Sequence, residues 1–181
     1  MQNRTSTMPV ARPKIAVQFC DPEIKQRVTN ELLKIGFSFK YVGTHYLSDC
    51  VTVAVEQHSS IGISVRSFMG YITGAVAEKY GVDKTTIGTL INGAVEKALV
   101  FGNVDYLLSI LQGTYDYDNQ KISYSSLIMN LAEKIWVDIK QEYQSAKDLK
   151  EQIKENLDNI TDPILLSGIY NIVVSWKGGA I

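Results

Sequence analysis

Six side chains, Arg66, Lys84, Thr85, Thr86, Thr89 and Asn92, are of the types that read a nucleic-acid duplex. An asparagine carboxamide can pair bidentately with an adenine edge, and a threonine methyl can touch the methyl group of thymine. Lysine and arginine hold phosphates, which fixes register without reading sequence. In the run KTTIGTLING, Asn92 is therefore the candidate base reader and Thr85, Thr86 and Thr89 supply methyl contacts. Lys84 and Arg66 are the candidate phosphate contacts. Gly88 and Gly93 interrupt the same run, each at a cost of roughly 1 kcal/mol relative to alanine in a helix. Such glycines make sense where DNA or a protein helix approaches the backbone closely.

Local charge argues for a second reading. From Ser60 to Phe101, Arg66, Lys79, Lys84 and Lys97 stand against Glu78, Asp83 and Glu96, a net of +1. DNA readers concentrate more positive charge than that. The alternative is a protein-interaction module that keeps the fold and has lost its DNA contacts.

The element that must position these residues runs from Tyr71 to Phe101, read as a helix, a tight turn and a second helix. Ala77 lets the two helices cross closely, and Gly81 can take positive φ in the turn. Asp83 is expected to cap the second helix through its carboxylate. Ile87, Leu90 and Ile91 are expected to pack back on Val76 and Tyr80. This is the pattern of a helix-turn-helix, whose second helix usually enters a major groove.

Other chemistry is poorly supplied. His45 and His58 have no carboxylate or cysteine at ligand spacing, so each reads as a structural histidine and no metal site is expected. Gly70 and Gly74 lie within a helical pattern and serve packing rather than a phosphate-binding loop. Asp116 and Asp118 could bind a cation weakly, but are expected to solvate a loop. The sequence argues against an enzyme and calls for no cofactor.

Composition is that of a globular protein, 45% hydrophobic and 20% charged with a formal net charge of −1. Cys20 and Cys50 show no metal-like spacing and suit reduced thiols. No signal peptide is visible and no apolar run reaches the ~18 residues that span a bilayer, so a cytoplasmic protein without membrane contact is expected.

Residues 1–20 read as a flexible basic arm carrying Arg4, Arg12 and Lys14, with KIAVQF (residues 14–19) as a possible short strand. Asp21-Pro22-Glu23 opens a helix through Ile24, Val28, Leu32 and Ile35 that Gly36 ends. Thr44 opens a second helix, apolar nearly all round and hence buried. A third follows from about Val65, then the helix from Lys84 and a short helix from Val104 to Leu111. Ser123 caps a long helical pattern through Leu131 and Ile135 to about Ile160. Asp162-Pro163 breaks it, and Ile164 to Trp176 contains YNIVVSW, with the β-branched content of a strand. The expected core is Ile24, Val28, Leu32, Leu47, Val51, Val55, Val76, Ile87, Leu90, Ile91, Leu107, Leu131 and Ile135.

The blocks VGTHYLSDCV, AVAEKYGVDKTTI, GAVEKAL, GN and ISYSSLIMNLAEKI, in this order, resemble the C-terminal DNA-binding domain of the master response regulator of sporulation initiation. The likeness runs from about Asp21 to Ile135. It implies an all-α core, a six-helix bundle whose fourth helix reads double-stranded DNA and whose last helix contributes dimer contacts. The sequence departs from the family in three ways. Only about twenty residues precede the likeness, so control through a receiver domain is not expected. The recognition helix lacks the family's arginines. About forty-five residues follow where the family domain stops.

The expected organisation is an arm (1–20), a helix-turn-helix domain (21–139) and a C-terminal helical extension (140–181). From Ser123 the apolar positions Ile128, Leu131, Ile135, Ile139, Tyr143, Ala146, Leu149, Ile153, Leu157 and Ile160 step by three or four. A continuous helix of that length must project or fold back near Gln141 to Ser145. A stripe of this kind wants a partner helix, and a homodimer through the C-terminal helices is expected. The function expected is transcriptional control, or a plasmid or phage maintenance task, independent of receiver phosphorylation.

Overall fold

Asp21 starts the first helix as its sequence suggests: its carboxylate accepts the Glu23 N–H at 2.9 Å, with Pro22 in the first helical position. In the computed structural model, which describes residues 21–58, 65–111 and 122–178, seven helices follow one another. They are α1 (Pro22–Ile35), α2 (Val42–Glu56), α3 (Val65–Tyr80), α4 (Lys84–Phe101), α5 (Val104–Leu111), α6 (Tyr124–Asp158) and α7 (Pro163–Gly178). The protein is all-α, with no strand among the described residues. The arm, the KIAVQF segment and Asp116 and Asp118 lie outside those residues.

The chain divides into two units, Met1–Glu133 and Lys134–Ile181. The first contains six helices, α1 to α5 and the start of α6. Its centre is α2, which packs on α1, α3 and α4. Leu47, Cys50, Val51 and Val53 are wholly buried on this helix, as an all-round apolar pattern requires. It starts at Val42, with Tyr41 in the cap position, so Thr44 lies inside the first turn, where it is buried, and does not open the helix. Where α2 crosses α4 the backbones nearly touch: a Cβ at Gly43 would lie 1.9 Å from the Leu90 carbonyl oxygen. Only glycine fits that crossing.

The expected core is buried with two exceptions. Ile24 is only half-buried, and Leu90 is 39% exposed. Leu90 departs because α4 buries Ile87, Ile91, Ala94, Val95 and Ala98, leaving Leu90 at the edge of that face. In α6, Leu127, Ile128, Leu131, Ala132 and Ile135 are buried.

The second unit contains the rest of α6 and α7. The long helix is continuous through Gln141–Ser145, so the alternative of a fold-back there is not taken. The apolar segment after Pro163 is a helix and not a strand. Its start explains this: Asp162 accepts the Ile164 N–H at 2.8 Å on its side chain and the Leu166 N–H at 3.1 Å on its carbonyl. A capped start at Asp-Pro outweighs the weaker strand preference of Ile172, Val173 and Val174.

Candidate nucleic-acid interface

The helix, tight turn and second helix expected here are α3, the turn Gly81–Asp83 and α4. The last turn of α3 closes with the Val82 N–H on the Ala77 carbonyl at 3.0 Å, and Gly81 has φ +65°. Ala77 is buried, as close helix crossing needs. Asp83 stands at the cap position of α4, yet its carboxylate makes no capping bond. Its backbone carbonyl instead receives the Thr86 and Ile87 N–H groups at 3.0 and 3.2 Å.

With Ile87 and Ile91 wholly buried, α4 turns Thr85, Thr89, Asn92 and Glu96 outward along one stripe. Thr86 is half-buried at its edge. The Thr89 hydroxyl donates to the Thr85 carbonyl at 2.9 Å, which engages its hydrogen within the helix. The Asn92 carboxamide makes no hydrogen bond among the described residues. The six sequence-predicted residues are thus only partly gathered. Thr85, Thr89 and Asn92 share the stripe. Arg66 lies in the first turn of α3, with its side chain outside the described residues.

The lysines of this motif are all engaged. Lys84 Nζ donates to the Gly70 carbonyl at 2.9 Å, across the α3 backbone at Gly74. A Cβ on Gly74 would lie 2.9 Å from that ammonium. Lys79 Nζ donates to Asp49 at 2.7 Å, and Lys97 Nζ lies 3.6 Å above the Tyr41 ring centroid. Of the two glycines in α4, Gly88 meets the ring of Tyr124, 3.4 Å from where its Cβ would stand. Gly93 faces open space. Packing explains the first and not the second.

Sequence reasoning missed the polar cluster behind the motif. Asp49 is 3% exposed, yet its carboxylate receives Lys25, Lys79 and the Tyr80 hydroxyl, the last at 2.8 Å. Burial raises its pKa, but the hydrogen bonds from the two lysines and Tyr80 and the charge of Lys25 outweigh it, so the carboxyl titrates below the usual range. Burial and the neighbouring Asp49 push the Tyr80 hydroxyl upward. The cluster ties α1, α2 and the last turn of α3 together immediately before Gly81. Its signal in the sequence is a lone acid inside the apolar run LSDCVTVAV. A similar link joins Glu31 on α1 to Lys34 at 2.7 Å and to the Tyr106 hydroxyl of α5.

The histidines have structural partners: His45 Nε2 lies 2.8 Å from the Phe39 carbonyl, and His58 Nε2 lies 2.5 Å from Glu133. Burial pushes the Cys50 thiol up to about 12, which makes it inert at neutral pH. Among the described residues no group of three or more His, Cys, Asp or Glu could hold a metal, and no helix is long and apolar enough to cross a membrane.

The family described as sporulation initiation factor Spo0A C terminal matches residues 28–135, more than half of the chain. That span runs from α1 into α6 and includes the whole of α3, the turn at Gly81 and α4. No curated protein matches the chain.

Proposed function

The chain belongs to the family of the Spo0A C-terminal domain, a family of DNA-binding regulatory domains, and from that premise we propose that it reads a specific DNA sequence through α4. The observation that carries this reading is the outward stripe of Thr85, Thr89 and Asn92. These groups are neutral hydrogen-bonding and methyl-bearing side chains, backed by a wholly buried Ile87 and Ile91. In this reading Asn92 takes an adenine edge, and Thr85, Thr86 and Thr89 contact thymine methyls. Lys84 and Arg66 take phosphates, Lys84 by exchanging the Gly70 carbonyl for an ion pair. The function is transcriptional control, or plasmid or phage maintenance, in the cytoplasm. It needs no phosphorylation and no cofactor, and it is not an enzymatic one. Selection of binding sites from random duplexes with the unmodified 181-residue chain tests it. An enriched motif supports the reading, and recovery of unselected sequence overturns it.

A second reading is favoured by a separate observation. Lys79, Lys84 and Lys97 are each held within the protein, and Glu96 shares the outward stripe. A protein-interaction module built on the same fold would look like this. It predicts no duplex binding at low salt.

The C-terminal extension is proposed to hold two copies together. On α7, Ile164, Tyr170 and Ile172 are more than 60% exposed, and Tyr143, Leu149 and Ile153 of α6 are at least half exposed. From Lys140 to Asp158 the charges alternate in sign, with four lysines against five acids, which suits pairing with a second copy of the same helix. Sedimentation of the full chain beside a version ending at Lys140 tests this. The full chain should be a dimer and the shortened one a monomer.

A further inference from the structure

On the first unit, away from the α4 stripe, the link between α1 and α2 and the last turns of α4 enclose a cavity of about 160 Å³. Phe37, Ser38, Tyr41, Ala94, Lys97 and Phe101 form most of its wall, and no lining residue is acidic. Lys97 is the one charged group in the lining, placed above the Tyr41 ring. Apolar side chains of the same helix ends stand in water: the lining Phe101 is 83% exposed, its chain neighbour Val100 71%, and Leu33, in the last turn of α1, 54%. They are brought together by the backbone. The Asn103 N–H donates to the Ile35 carbonyl at 2.7 Å, so the ends of α1 and α4 meet. Val42, the 52% exposed first residue of α2, and the exposed Lys40 flank Tyr41 in the chain.

An apolar rim around a cavity is unusual on a surface that meets only water. The cavity has about the volume that admits one benzene ring. We propose that this surface docks an acidic peptide segment of another protein, one aromatic or leucine side chain filling the cavity and carboxylates meeting Lys97 and Lys40. Charge decides the class of partner. A basic segment would meet two cations and no carboxylate in the lining, whereas an acidic one exchanges the weak contact of Lys97 with Tyr41 for an ion pair beside an apolar wall. The surface is distinct from the Thr85–Asn92 stripe, so it does not depend on what α4 reads.

A displayed library of random peptides, selected on the immobilised full chain, tests this. Enriched peptides should carry an aromatic residue or leucine flanked by Asp or Glu. A fluorescent copy of one should bind Lys97→Glu and Phe101→Ser at least tenfold more weakly, with the melting of both variants near that of the parent. Phe101 is too exposed for its loss to unfold the domain. A charge-reversed copy of the peptide should regain affinity for Lys97→Glu. Asn92→Ala should bind the original peptide unchanged. No enrichment, enrichment of basic peptides, or loss of self-association in Phe101→Ser would each overturn the proposed occupant, the last assigning the surface to a second copy.

Discussion

Lys84, the first residue of α4, donates its ammonium to the Gly70 carbonyl on α3 at 2.9 Å. Helix α4 is thus tied at its entry to α3, through a notch that exists because Gly74 has no side chain. The proposed phosphate role asks this ammonium to leave the notch.

Two variants separate tether from phosphate contact. Lys84→Ala should weaken all duplexes similarly and lower the slope of log K against log salt by about one. Gly74→Ala should push the ammonium out of the notch and leave that slope unchanged. Anisotropy titrations at several salt concentrations read both. An unaltered slope in Lys84→Ala would make Lys84 a tether only.

Gly93 carries a prediction of opposite signs. A Cβ there meets nothing within 4 Å, so Gly93→Ala should stabilise the domain by about 1 kcal/mol, read from chemical denaturation. If DNA approaches that backbone, the same change should weaken binding. A variant that is more stable and binds DNA equally well would remove Gly93 from the interface.

The buried Asp49 predicts a pH dependence. Its folded pKa is depressed, so its contribution is fully present above the unfolded value of about 3.9 and is lost as pH falls through the folded one. Asp49→Asn should destabilise the protein by about 2 kcal/mol at neutral pH, through loss of charged hydrogen bonds. The gap between parent and variant should stay level from neutral pH to about 5 and narrow only below about 4. Denaturation midpoints across that range measure it. A gap that closes near neutrality would contradict the assignment.

Burial on α4 is tested by neighbours three residues apart. Ile87 is wholly buried and Leu90 is 39% exposed. Ile87→Asp should abolish cooperative unfolding, because it buries an unpaired charge. Leu90→Asp should fold and melt within a few degrees of the parent. Circular dichroism melts of the two variants decide.

Much of the helical order was legible because it rests on local signals. Asp21-Pro22, Gly36, Gly81 and Gly102-Asn103 mark ends that the chain respects, and Val28, Leu32, Ile87 and Ile91 repeat at helical spacing. The helix from Pro163 departs from the strand that β-branched content suggests, because the Asp162 cap outweighs that preference. Leu90 departs from the expected core because period alone does not say how wide the buried face is. The Asp49 cluster was out of reach for another reason. Lys25, Asp49 and Lys79 are 24 and 30 residues apart in turn and meet only when α1 and α3 pack on α2. The Lys84–Gly70 tether is hidden in the same way.

The central claim is that α4 reads bases through Asn92, and one measurement bears on it most directly. Affinity is measured for parent and Asn92→Ala on a duplex selected from a random pool and on unselected duplex, at one fixed salt concentration. The account predicts a loss of roughly 1–3 kcal/mol on the selected duplex, little change on the unselected one, and relaxed preference at a single base position. Equal affinity of the parent for both duplexes, or no binding to either at low salt by a folded chain, would contradict it.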